Sequence, residues 1–202
     1  MTDFNASDIK GAVAHLADGA EAAADFLNTA DGRLGDGDLG ITVSKGWREA
    51  ADRADAMPDD VGLLFLALAK AFQAASSSSF GTLTATALMS AAKACKGRQT
   101  VPWSEVPALL AGARDAMMAR GKGELGMKSV LDIIDALAVA TAGLDTPAAL
   151  AGAAKQACEQ TLETFRDKPN GLGRARVYAD KSIGIDDPGM LAVKVMLTAL
   201  TA

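Results

Sequence analysis

Val61-Gly-Leu-Leu-Phe-Leu-Ala-Leu-Ala-Lys-Ala-Phe-Gln-Ala-Ala75 is apolar almost all the way round a helical projection. A helix without a polar face is buried on every side, so this segment predicts a central helix. Asp59 or Asp60 stands immediately ahead of it as a cap. It is too short to cross a bilayer, and no uninterrupted apolar run in the chain approaches the ~18 residues a membrane helix needs.

Working outward, period-3.6 patterning and capping residues predict seven further helices and no alternating strand. Towards the N-terminus, Ser7 opens a helix to about Asn28, and Gly40 opens another through Ile41, Val43 and Trp47 to about Met57. Towards the C-terminus, helices run from about Gly81 to Lys96, which Gly97 closes, and from Ser104 to about Arg120. Ser129 leads the next, through Leu131, Ile133, Ile134 and Leu137. Thr146-Pro147 is a cap followed by proline at the first helical position, with the helix reaching about Arg166. Pro188 likewise begins the last helix, which ends at the C-terminus. The fold class is therefore all-α, an eight-helix up-and-down antiparallel bundle or barrel within one domain, residues 1–202.

The connections fall into two sets. Those near Pro58, Gly97–Val101 and Asp145 are compact, whereas 29–40, 76–81, 121–128 and 167–187 are rich in Gly, Ser and Asp. In an up-and-down bundle the second set emerges at one end, each loop feeding a helix N-terminus. Such termini carry unpaired N–H groups and the positive ends of helix dipoles, so together they form an anion site. The last loop is expected to be about twenty residues without regular structure, a length that counts against the helix assignment there unless the loop is functional.

Thr29-Ala-Asp-Gly-Arg-Leu-Gly-Asp-Gly-Asp-Leu-Gly-Ile-Thr42 places three carboxylates, Asp31, Asp36 and Asp38, among four glycines. Short acidic side chains on a tightly turning backbone can converge on one spot, and hard oxygen ligands suit Mg²⁺ or Ca²⁺. A solvated turn is the competing reading. An EF-hand is excluded, because the twelfth position is Thr42 counted from Asp31 and Trp47 counted from Asp36, where a bidentate Glu is required. A carboxylate-held cation beside an anion site is what a magnesium nucleotide needs. Asn170-Gly-Leu-Gly-Arg174 adds a guanidinium able to clamp a phosphate, with an ordinary surface cation as the alternative for Arg174.

Half of the 202 residues are hydrophobic and only 4% are aromatic, a balance that favours close-packed helices. The formal charge of −5 leaves no basic footprint for nucleic acid. Cys95 and Cys158 lack ligand-like spacing and read as reduced, buried thiols of a cytoplasmic protein. The N-terminus has neither the basic nor the apolar region of a secretion signal. His15 is the only histidine, which excludes a histidine-rich zinc site.

Gly35-Asp-Gly-Asp-Leu-Gly40, Arg120-Gly-Lys-Gly-Glu-Leu-Gly-Met-Lys-Ser-Val-Leu-Asp132, Gly173-Arg-Ala175 and Ser182-Ile-Gly-Ile-Asp-Asp-Pro-Gly189 occur in one order. Over nearly its whole length the chain resembles the nucleotide-binding L subunit of dihydroxyacetone kinases. The resemblance implies an eight-helix barrel that holds ADP or ATP at one end through two Mg²⁺ ions, ligated by Asp31, Asp36 and Asp38. It implies that Leu39, Gly40, Ile41 and Thr42 lie along the phosphates. Ser79 and Phe80 take the place of the family's small-residue turn, and Gly121 and Val130 lie near the base and ribose. Arg174 completes the pocket with Asp187, Pro188 and Gly189; its guanidinium, able to neutralise charge in phosphoryl transfer, is also the candidate catalytic residue.

The same resemblance implies a phosphoryl transfer to dihydroxyacetone or a similar short ketose held on a separate K-type subunit. The nucleotide is either ADP recharged by a phosphorelay protein or ATP exchanging from solution. Four positions depart from the pattern. Leu39 and Ile185 replace histidines, Met127 replaces an acidic residue, and Ser77-Ser78 replace a glycine pair. None removes a metal ligand. The losses at Leu39 and Ile185 define the alternative, a nucleotide-loaded regulatory or scaffolding protein with impaired catalysis.

Overall fold

A computed structural model describes residues 3–201. Among these, nine α-helices follow one another: α1 (Ala6–Ala22), α2 (Ala24–Asp31), α3 (Leu39–Asp52), α4 (Val61–Ala75), α5 (Ser79–Ala94), α6 (Val106–Gly121), α7 (Val130–Ala140), α8 (Pro147–Arg166) and α9 (Pro188–Leu200). Each helix from α3 onward packs against the next, and α9 returns to α1 and α2, so the bundle closes into a ring. Gly19 permits this closure, since a Cβ there would stand 2.6 Å from Cβ of Ala199.

The all-α architecture and the order of helices follow the expectation, with α4 and α8 on the expected residues. The expected first helix is broken at Ala23, whose backbone (φ −99°, ψ 5°) leaves the helical region. At this bend the Ala24 carbonyl approaches Gly40 so closely that a Cβ on Gly40 would lie 2.0 Å from it. The bend thus seats α2 against the first turn of α3. Asn5, not Ser7, is the N-cap of α1, in a capping box with Asp8. Ser104, expected to start the fifth helix, lies instead in a 3₁₀ turn, Trp103–Glu105, ahead of α6.

Two strands correct the expectation of none. β1 (Asp3–Asn5) pairs antiparallel with β2 (Thr100–Pro102), Phe4 opposite Val101. Three-residue strands are too short to show alternation in sequence. Their inward side chains close a small second core with Val61 and Cys95, and Phe4 packs on Trp103 with ring centroids 5.0 Å apart. The main core runs down the barrel, where Trp47 meets Phe72 edge-on at 5.2 Å and Leu64, Leu68, Leu131, Ile133 and Met190 are fully enclosed. Cys95 and Cys158 are free and buried, and burial raises both thiol pKa values, that of Cys158 to about 11.

The segment 167–187 is also more ordered than expected. 3₁₀ structure covers Arg174–Ser182 with a kink at Ala179; the start of the connection is tied to the α6–α7 loop through Gly171 N–H to Met127 O (2.8 Å), and its end to the last residue of α8 through Gly184 N–H to Arg166 O (2.9 Å). No helix among the described residues is long and apolar enough to cross a membrane.

Candidate functional site

The loop after α2 folds back on Asp31, the last residue of that helix. Asp31 Oδ2 accepts the backbone N–H groups of Gly37 at 2.8 Å and Asp38 at 3.1 Å. Gly37 turns with φ +76°, and a Cβ on Gly35 would lie 2.4 Å from Asp31 Oδ1, so this wrap needs glycine at both positions. As a result Asp31, Asp36 and Asp38 each offer an oxygen to one point, all within 4.8 Å of one another. Like charges at that spacing repel by roughly 1–3 kcal/mol per pair between water-like and surface screening, a cost that a divalent cation removes.

The third carboxylate is kept free by a neighbour. Asp38 is the N-cap residue of α3, yet its side chain makes no capping hydrogen bond. Asn28 caps instead, its Oδ1 accepting the Ile41 N–H at 3.2 Å. Arg174 reaches the cluster from the far loop and forms an ion pair with Asp36. The guanidinium expected to clamp phosphate therefore rests on an expected metal ligand.

The cleft above this cluster is open to solvent, with a cavity volume of about 150 Å³. It is lined from three of the four Gly-, Ser- and Asp-rich connections, 29–40, 76–81 and 167–187, while 121–128 contributes no lining residue and α7 is reached through Ser129 and Val130, so the cleft lies at the N-termini of α3, α5, α7 and α9. Its polar side holds the three aspartates, Thr42, Ser78, Ser79, Ser129, Arg174 and Asp187. Leu34, Leu39, Phe80, Leu83, Val130, Leu172, Ala175 and Pro188 form an apolar side. At the floor, Ser78 Oγ lies 3.3 Å from Thr42 Oγ1 and 3.1 Å from Ser76 Oγ, and it accepts the Gly81 N–H at 3.0 Å. The lining thus offers groups that suit a cation and phosphates together with apolar surface that suits a flat ring.

Of the expected site residues, Leu39, Thr42, Ser79, Phe80, Val130, Asp187, Pro188 and Gly189 line the cleft with Arg174 and the three aspartates. Gly40, Ile41 and Gly121 do not. Gly40 faces the Ala24 carbonyl, Ile41 is turned outward, and Gly121 lies behind Leu83. Among the departures from the family pattern, Leu39 forms part of the wall, whereas Met127 and Ile185 are outside it. His15 is exposed on α1, away from these residues.

Sequence reasoning missed what lies beneath the cleft. Lys128 is fully enclosed and takes a left-handed backbone, φ +54°. Its Nζ donates to the carbonyls of Arg166, Lys168 and Ser182 at 2.8, 2.8 and 2.7 Å. Asn170, also buried, donates from Nδ2 to Lys128 O and to Asp187 Oδ2, both at 2.7 Å. Flipping its amide would set an oxygen against those two acceptors, so the orientation is fixed although Oδ1 has no protein partner. Asp187 caps α9 by accepting the Met190 N–H at 2.9 Å. Burial pushes its carboxyl up to about 6, against the Met190 and Gly189 backbone N–H groups, the Asn170 amide and the Lys128 charge, which all pull it down.

Comparison with known proteins came out consistently. A model of the DAK2 domain matches residues 33–202. The ADP-binding subunit DhaL of the PEP-dependent dihydroxyacetone kinase of Escherichia coli (strain K12) is 27% identical over 185 residues, 87% of this chain and 86% of that protein. The L-erythrulose 1-kinase of Mycolicibacterium smegmatis is 33% identical over 184 residues, 86% of this chain but only 31% of that enzyme. The solved dihydroxyacetone kinase of C. freundii, in complex with AMP-PNP and Mg²⁺, superimposes with a TM-score of 0.74 at 20% identity over 95% of this chain and 33% of that one. The chain therefore spans most of the length of a separate subunit and about a third of the length of single-chain kinases.

Proposed function

This chain belongs to the DAK2 domain family, and on that premise we propose that it is the nucleotide-binding phosphotransferase subunit of a kinase for dihydroxyacetone or a related short ketose. It holds ADP or ATP with two Mg²⁺ ions and acts with a separate K-type subunit that carries the ketose. The observation that carries the reading is the convergence of Asp31, Asp36 and Asp38 within 4.8 Å at the end of the barrel where four helices present their N-termini.

The donor set fits the ion, since carboxylates with few internal partners are what Mg²⁺ takes from a protein, leaving further positions to water and phosphate. When bound, Mg²⁺ supplies charge neutralisation on the phosphate oxygens and holds them in register. The protein's own part is placement. Asp31 keeps the loop wrapped, and Asn28 frees Asp38. The backbone at the start of α3 and α5 and the hydroxyls of Thr42, Ser78 and Ser79 face the phosphate side. Phe80, Leu83, Val130 and Leu172 enclose the base. Arg174 stands where it stabilises charge on the transferring group, and the acceptor hydroxyl, with the base that takes its proton, comes from the partner.

Mass spectrometry and metal analysis of the purified protein, followed by a transfer assay with a K-type subunit, test this reading. The expected result is an adenine nucleotide released with Mg²⁺, and phosphorylated ketose only when both subunits are present. A protein that binds no Mg-nucleotide overturns the reading. One that binds it and supports no transfer with any K-type partner is the regulatory form.

A further inference from the structure

We propose that Lys128 is a positioning residue: its buried ammonium acts as a built-in cation that clasps both ends of the 167–187 connection and so sets the wall of the cleft that carries Arg174. The argument begins with hydrogen-bond inventory. A protonated lysine has three N–H donors and a neutral amine two. Lys128 Nζ meets three carbonyls at 2.7–2.8 Å, a set that only the charged form satisfies.

The identity of those carbonyls gives the cluster its purpose. Arg166 and Lys168 mark the entry of the connection, and Ser182 marks its exit. One cation thus closes the stem of the loop, as a bound metal ion closes a loop by gathering main-chain oxygens. Asn170 locks the arrangement, since its Nδ2 links Lys128 O to Asp187 and its own N–H is accepted by Ser182 Oγ at 2.8 Å. Beyond the clasp most of the arc is exposed, and its further ties are few: Gly171 N–H to Met127 O, Leu172 packed on the core, buried Ala175, and Arg174 reaching Asp36. Leu172, Gly173 and Ala175 line the cleft from that arc. Lys128 is not itself among the residues that line the cleft. It holds the stem, and the stem aims the wall.

The cluster also explains a cost. A fully enclosed ammonium is expensive unless all its donors are paired. Three carbonyls from distant turns meet that condition only in the folded loop, so the charge makes the loop conformation all-or-none.

The role towards nucleotide rests on the proposed function, and the test separates the two. Lys128→Ala opens a pocket for an added alkylammonium, and Lys128→Met keeps the buried stem without charge. In the ligand-free Ala variant, backbone hydrogen exchange over 171–183 should accelerate by about tenfold or more while the helices keep wild-type rates. Propylammonium should bring that exchange back to within about twofold of wild type, and 1-propanol of similar size should not. The Met variant should match the Ala variant without amine and be insensitive to it. Mg-ADP affinity, measured by calorimetry, should fall by about tenfold in both and recover with propylammonium in the Ala variant alone. Unchanged exchange over 171–183, or equal rescue by 1-propanol, overturns the proposal. So does loss of cooperative unfolding in both variants, because Lys128 would then hold the barrel and not the loop. Wild-type protein that fails to bind Mg-ADP overturns the nucleotide reading, and the exchange arm still decides the clasp.

Discussion

Asn28 Oδ1 accepts the Ile41 N–H at 3.2 Å, one turn inside the helix whose formal cap is Asp38. The amide side chain does the capping that an aspartate would ordinarily do, and the aspartate is left to face the cation site. Asn28→Ala should therefore act twice. Loss of the cap should lower stability by ~1 kcal/mol. Asp38 should then turn towards the free N–H groups of α3, weakening Mg-ADP binding by more than the stability loss accounts for. Thermal melting and calorimetry on one preparation measure both effects, and an unchanged affinity alongside the expected destabilisation would separate the cap from the metal site.

Asp36 and Asp38 are exposed and pack against no core, so removing either charge should spare the barrel. Asp36→Asn or Asp38→Asn is expected to abolish Mg-nucleotide binding while helical circular dichroism stays intact. In the wild type, nucleotide at 100 times its dissociation constant should add ~2.7 kcal/mol to stability, most of it removed by EDTA. Differential scanning calorimetry with and without chelator checks this. A gain that survives EDTA would mean that the helix N-termini and hydroxyls hold the phosphates without the ions.

Much of this molecule is legible in its sequence because the signals are local. The apolar run 61–75, Thr146-Pro147 and Asp187-Pro188 each fix a helix and its start, and a chain of antiparallel helices forces every second connection to one end. Three aspartates among glycines announce themselves likewise. What stayed hidden depends on distant partners. Lys128 sits in a glycine-rich stretch with the composition of an exposed turn, and its enclosure arises from carbonyls 38 to 54 positions away. Asn170-Gly171 carries a turn signal, but that signal says nothing of an amide buried between Lys128 and Asp187. The break at Ala23 lies within an unbroken run of alanines, and it follows from the approach of Gly40.

Asp187 makes stability depend on pH in a defined direction. Its carboxyl is raised by burial from an ordinary 3.8 to about 6, so the native state binds a proton that the unfolded chain has already released between those values. The contribution is full below about pH 4 and is lost as pH rises through 6, a change of about 3 kcal/mol for a two-unit shift. Asp187→Asn places an amide N–H towards Asn170 and carries a constant penalty, but it has no proton to lose. Urea unfolding from pH 4.5 to 7.5 should show the variant gaining on the wild type as pH rises, most steeply near 6. Parallel curves would show that Asp187 titrates normally.

The ion pair between Arg174 and Asp36 sets two functions of one guanidinium against each other. Side chains 62% and 43% exposed form a pair worth only ~0.2–1 kcal/mol, so a divalent cation displaces it readily and releases Arg174 towards the phosphates. Removing the arginine should then help the metal and hurt the chemistry. Arg174→Gln is expected to bind Mg²⁺ or Mn²⁺ without nucleotide up to about fivefold more tightly, the equivalent of the lost pair. Arg174→Lys should keep Mg-nucleotide affinity within about tenfold. Its transfer rate with a K-type subunit should nevertheless fall by about 100-fold, because lysine lacks the planar fork that follows charge as it redistributes in the transition state. Calorimetry with the metal alone and a coupled transfer assay give the two readings independently. If the lysine variant turns over at the wild-type rate, Arg174 is a rim cation that screens Asp36, and the group that stabilises the transferring phosphoryl belongs to the partner subunit.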